Sequence, residues 1–322
     1  MNTQIDTREL FALDGPEYVV RGTYHMPREI RENVRGGVRP QSSVGIIILN
    51  SLAPTRAGKG DSSVAWANAF ANHGYPTFRC DLPGFGDSSG DPPARLLDFI
   101  NNGEYATIAA DAVARIAKHF KLQSVILCGL CAGAVSAIFT AGISRECQGL
   151  IVLDPYFHLP LTHKASARSR LAKIIPAGTL RLSLKRFSNW ATGARRRLGK
   201  KRFPQNSNHS LLDRWLGLVN SGMPILVFDH PPNTRRDEEF DYLAYFSQYS
   251  EPRHRVVIHS IRGADHTFAN NLGKAAVRQH GLEWLDRNFG LNGNKGAESQ
   301  PNEGDQLTAA GIAAPERSGA RF

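Results

Sequence analysis

The chain's 322 residues are enough to bury a full core in a single α/β domain carrying an insertion, and a hydrophobic content of 41% leaves part of that length outside the core. No run approaches the roughly 18 apolar residues that span a bilayer, the polar start MNTQIDTREL lacks the regions of a signal peptide, and four cysteines are too few for a disulfide framework. A membrane-spanning protein and a disulfide scaffold are thereby excluded, and the expectation is a cytoplasmic chain with reduced thiols. The formal net charge of +10 is local: between Tyr156 and Leu212 there are thirteen Lys and Arg and no Asp or Glu, more than the whole net charge.

In chain order, LFALDG and YVVRGTYHMP read as a hairpin split at Asp14-Gly15-Pro16. Val44 to Leu49, VGIIIL, is a continuous β-branched run, the mark of a strand buried on both faces. Ser63 to His73 has helical spacing and stops at Gly74; Pro76 to Cys80 is the next strand, followed by the loop DLPGFGDSSGDPP. A helix runs from about Tyr105 to Phe120, with Val113, Ile116, Ala117 and Phe120 at helical spacing. Gln123 to Cys128 is strand, Ala132 to Ser144 helix, and Leu150 to Leu153 strand. After the basic insertion come the strands PILVFD (Pro224 to Asp229) and RVVIHSI (Arg255 to Ile261), then a closing helix with Ala276, Val277, Leu282, Trp284 and Leu285. Strand and helix alternate throughout, which predicts a mainly parallel, doubly wound sheet covered on both faces. Beyond Gly290 the chain lacks periodicity and apolar bulk and is expected to be disordered.

Gly129-Leu130-Cys131-Ala132-Gly133 lies between a strand and a helix. It resembles the nucleophile elbow of the α/β-hydrolase superfamily, G-x-nucleophile-x-G, with Cys in place of the commoner Ser. A sharp strand-to-helix turn forces the nucleophile into strained angles, and flanking glycines remove Cβ atoms that would collide there. Two blander readings compete: a buried hydrophobic Cys, and a C-x-x-C redox pair formed by Cys128 and Cys131. The redox pair suits a smaller domain and an earlier strand, and no second pair completes a zinc site, so the elbow is favoured and Cys128 is assigned to the core.

Gly263-Ala264-Asp265-His266-Thr267-Phe268 follows the last strand and resembles the superfamily's catalytic-histidine loop, in the expected chain order. The chemistry needs His266 because a free thiol is mostly protonated at pH 7, and an adjacent imidazole stabilises the thiolate and later protonates the leaving group. The third member stays open. The superfamily most often places an acid shortly after the penultimate strand, where this chain has Asp229, His230 and, further on, Asp237. Asp154, in Leu153-Asp154-Pro155, matches the position used by a minority that includes lipases of the pancreatic type. Asp154 and Asp237 are therefore both candidates. The resemblance implies oxyanion donors at the backbone N–H groups of Ala132 and Leu52, although Ser51 stands where the family usually has glycine. Asp81-Leu82-Pro83-Gly84-Phe85-Gly86-Asp87-Ser88 resembles the superfamily's D-x-x-G-x-G-x-S turn, read as structural because it lacks a P-loop's lysine.

The resemblance spans about Val44 to Phe289 and is similar to the serine-aminopeptidase-like and dienelactone-hydrolase-like branches. It implies an α/β-hydrolase core over 1–155 and 222–289, a basic helical cap over 156–221, and neither cofactor nor metal, while composition alone gives the expected disordered tail over 290–322. The implied function is hydrolysis of an ester or thioester through a Cys131 acyl-enzyme, on a small acyl substrate of anionic or acyl-carrier type. Acyl transfer from the same intermediate is the alternative, and a non-catalytic binding protein on this scaffold is the alternative of another class. The basic segment suggests contact with an anionic substrate or membrane surface; nucleic acid is not expected, since no groove-reading motif or stacking platform is present.

Overall fold

The two apolar runs flanking Asp14-Gly15-Pro16 pair as β1 (Arg8–Leu13) and β2 (Val20–His25), antiparallel, with Leu13 opposite Val20. The chain is a computed structural model in which residues 7–28, 43–49, 56–159, 203–230, 240–247 and 255–290 are described, all within the unit Met1–Leu291. β3 (Val44–Leu49) follows, then α1 (Ser62–Asn72), β4 (Thr77–Asp81), α2 (Leu96–Asn101), α3 (Tyr105–His119), β5 (Ser124–Leu130), α4 (Ala132–Ala141) and β6 (Cys147–Leu153). The remainder is α5 (His209–Asn220), β7 (Ile225–Asp229), α6 (Tyr242–Ser247), β8 (Val256–Ser260) and α7 (Asn271–Phe289).

The eight strands form one sheet in the order β1-β2-β4-β3-β5-β6-β7-β8. β2 runs antiparallel to β4, and every pairing from β4 onwards is parallel. Alternation sorts the side chains of β3 to two faces: Ile47 and Leu49 join the cluster containing α3, α4 and α5, while Ile46 and Ile48 join Trp66 and Phe70 of α1 with Trp284 and Leu285 of α7. After β4 the chain crosses back to the other side of β3 to lay down β5. That reversal opens a crevice at the carboxyl ends of the strands, where ligands bind in sheets of this kind.

Every residue of α4 is buried, which explains its composition AGAVSAIFTA. A Cβ at Gly129 would lie 2.3 Å from the carbonyl oxygen of Gly133, so no larger residue fits between strand and helix. The helix α5, inside the range 156–221, buries Leu211, Leu212, Trp215 and Leu218 against the α4 side of the sheet. Asn208 caps it, its side-chain oxygen accepting from the Leu211 N–H at 3.1 Å.

The DLPGFGDSSG loop is held by its own polar groups. Ser88 Oγ donates to the Asp81 carbonyl at 2.5 Å and accepts from the Arg21 N–H at 2.8 Å. Arg56 reaches both Asp81 and Asp87 at 2.6 Å, and its own carbonyl accepts from Arg79. Gly86 has φ +52, and a Cβ there would sit 2.3 Å from the Asp81 carboxyl. This supports the structural reading of the motif. Among the described residues, no helix is long and apolar enough to cross a membrane.

Candidate active site

Cys131 sits between β5 and α4 with φ 51 and ψ −115, a backbone conformation L-residues rarely adopt. The sheet pins it there, since its N–H donates to the Leu153 carbonyl at 2.9 Å. The turn lifts the thiol out of the core while its three counterparts stay in: Cys80, Cys128 and Cys147 are buried, and burial first of all pushes each of their thiols up to about 12. Ala132, next in the chain, opens α4, and a first-turn N–H has no acceptor within its own helix. Leu52 lies outside the described residues.

The loop after β8 presents His266. Asp265 Oδ1 accepts from the Ala269 N–H at 2.8 Å, and Asn270 donates to the Gly263 carbonyl while capping α7 through Gly273, both at 2.8 Å. Phe268, fully buried at φ 49, anchors the loop from below. His266 Nδ1 is hydrogen-bonded to Asp154 Oδ2, which leaves Nε2 for the neighbouring Cys131. Asp154 first, and Cys131 second, raise the His266 pKa from 6.5 to about 10 against the opposing effect of partial burial.

The acid comes from the end of β6. Asp154 has φ 46, its N–H donates to the Phe228 carbonyl at 2.7 Å, and its carboxylate faces the His266 loop. Asp237 lies outside the described residues. Asp229, at the customary strand end, instead accepts from Ser260 Oγ at 3.1 Å, and burial raises its pKa although that hydrogen bond works the other way.

Sequence reasoning did not single out His230. Its Nδ1 lies 3.0 Å from Asp154 Oδ2, and its ring packs edge-on to His266 with centroids 5.4 Å apart. The nitrogen is close enough to form an ion pair but not directed for a hydrogen bond, and among the described residues it has no other hydrogen-bond partner. Its position directly after β7, where the superfamily commonly keeps its acid, was the available signal. Asp154, His230 and His266 each bring one ligand atom within 4.8 Å of the others. Burial pushes the Tyr156 hydroxyl up to about 12.

The elbow, the returning histidine and the strand order agree with a match of an alpha/beta hydrolase family profile to residues 58–285, more than half of the chain. The chain belongs to the alpha/beta hydrolase family. Similar solved structures include an esterase from Pyrococcus furiosus, 13% identical, covering 87% of this chain and 90% of that one with a TM-score of 0.52. A haloalkane dehalogenase loop variant from Bradyrhizobium elkanii is also 13% identical, covering 87% and 97% with a TM-score of 0.51. At this identity they share the fold of the family member and nothing finer, and their two different reactions show that the chemistry must be argued from the site. No curated protein matches the chain.

Proposed function

We propose that this alpha/beta hydrolase cleaves an ester or thioester through an acyl-enzyme on Cys131. The observation carrying this reading is the φ of 51 that lifts Cys131 out of the core at the mouth of α4, with His266 as its neighbour and Asp154 bonded behind that ring. Sγ gives up its proton to His266 and bonds to the substrate carbonyl carbon, moving the carbonyl electron pair onto oxygen. The N–H of Ala132, and that of Leu52 by family resemblance, receive this oxyanion. Collapse expels the alcohol or thiol, which takes the proton from His266. Water, deprotonated by His266, then releases the acid and restores the thiol. Asp154 fixes the imidazole tautomer and favours the imidazolium.

Within 156–221, where α5 itself packs in the core on the α4 side of the sheet, the stretch ahead of α5 is proposed as a cap over this site. Its thirteen cations from Tyr156 to Leu212, without one acid, suit an anionic or acyl-carrier-type substrate or an anionic membrane surface. Four free thiols suit the cytoplasm.

A panel of neutral and anionic aryl esters and acyl thioesters tests both parts. Turnover is expected, with KM for the anionic members rising with salt, because exposed attractions are screened over about 8–10 Å, and KM for the neutral members staying constant. Charge reversal at Arg195, Arg196 and Arg197 should act as salt does. Absence of turnover across the panel would refute the reaction; equal salt response would refute the anionic preference.

A further inference from the structure

The geometry points to a second capacity of the same crevice: Asp154, His230 and His266 form a binding site for a divalent ion of the zinc class, and occupancy switches the Cys131–His266 pair off. Two observations carry it. The three side chains each place a ligand atom within 4.8 Å of the others, and the His230 Nδ1 atom is buried without a hydrogen-bond partner among the described residues although it lies 3.0 Å from Asp154 Oδ2. A buried imidazole nitrogen with no directed partner is costly, and a cation shared with the neighbouring carboxylate would satisfy it. Two imidazoles and one carboxylate are a donor set that suits Zn²⁺, and such a site keeps a fourth position for water.

The consequence for Cys131 follows from the two nitrogens of His266. Nδ1 carries the proton donated to Asp154, which leaves Nε2 to exchange a proton with Cys131. A metal on Nδ1 displaces that proton. The neutral ring then holds its one proton on Nε2 and can no longer accept another from the thiol. Metal binding thus removes the base without touching Cys131. The surrounding residues permit access: His266 is half exposed, and Asp154 and His230 are partly so.

The site is distinct from simple capture of zinc by the thiol, and the experiment is built on that difference. Titration of the full-length Cys131→Ser protein with ZnCl₂ by calorimetry should show one site. His230→Phe or His230→Gln on that background should weaken it about tenfold or more, the cost expected at the least for losing a direct ligand when outer partners alone cost 10–100-fold. The glutamine variant keeps a polar side chain of similar reach should the aromatic one disturb packing. The binding readout needs no substrate and stands whether or not the proposed hydrolysis is correct. In the active protein Zn²⁺ should inhibit reversibly, with chelator restoring turnover, and the His230 variants should need correspondingly more zinc. Unchanged affinity on removing His230, or no zinc bound once Cys131 is gone, would overturn the inference.

Discussion

β6 and β7 lie side by side in register, Leu153 beside Phe228, and an aspartate stands at the carboxyl end of each, Asp154 directly after β6 and Asp229 as the last residue of β7. Only one of the two carboxylates reaches the histidine. Asp154 leaves its strand through a positive φ of 46 that turns the side chain towards the His266 loop, whereas Asp229 remains the last residue of β7 and bonds sideways to Ser260 of β8. Residue type and strand position are shared; backbone direction makes the difference. The same device operates at Cys131, whose positive φ separates one accessible thiol from three buried ones.

The largest effect should follow from Cys131→Ala. Loss of a nucleophile in a triad costs orders of magnitude, so turnover should fall about 10⁴-fold or more, read with the best substrate of the panel. Limiting iodoacetamide followed by peptide mapping should label Cys131 ahead of the other three; preferential labelling of Cys80 or Cys147 would break the contrast between exposed and buried thiols.

His266→Ala should lower turnover about 10²- to 10⁴-fold with the melting temperature little changed, because the residue is half exposed and its loop is held by Asp265, Phe268 and Asn270. A loss of fold in place of activity would count against its role.

Asp154→Asn should cost less, roughly 10- to 100-fold, since a thiolate–imidazolium pair leans less on its acid than the serine triad, where the loss is about 10⁴. Its sharper signature is in the pH profile. Asp154 is the foremost cause raising His266 to about 10, so its removal should move the alkaline limb of kcat/KM to lower pH. Stability follows the same sign: a raised histidine pKa contributes fully below the ordinary 6.5 and is lost as pH rises through about 10. The stability gap between wild type and Asp154→Asn should therefore narrow over that range in thermal melts.

Asp229→Asn is the matching control and the smallest effect. Burial already disfavours its charge and it faces Ser260, so turnover should stay within about threefold and stability within about 0.5 kcal/mol. A loss comparable to that of Asp154→Asn would show that strand position, and not backbone direction, selects the acid.

Much of this was legible in the residues because buried parallel strands write themselves as β-branched runs: VGIIIL is β3 to the residue, PILVFD exceeds β7 by one residue at its start, and RVVIHSI exceeds β8 by one residue at each end. β5 runs two residues further than its apolar pattern, to Leu130, because the elbow glycine continues the ladder with β6. The helices α2 and α6 have no counterpart in the sequence reading, and α5, inside the range read as a helical cap, packs in the core instead. α5 has a clear apolar stripe in Leu211, Leu212, Trp215 and Leu218, but it adjoins the basic run and merges with it when charge is followed along the chain. Cys131 and His266 were recognisable from local motifs. The choice of Asp154 and the place of His230 were not, because both depend on where two strand ends point in space, which no residue pattern within either strand encodes.

The account turns on a covalent acyl group at Cys131, and intact-protein mass spectrometry after rapid acid quench with an activated aryl ester tests it most directly. The account predicts one acyl mass added in wild type, on the peptide containing Cys131, labile to hydroxylamine and absent in Cys131→Ala. An acyl group on any other residue, or turnover that persists in Cys131→Ala, would contradict it.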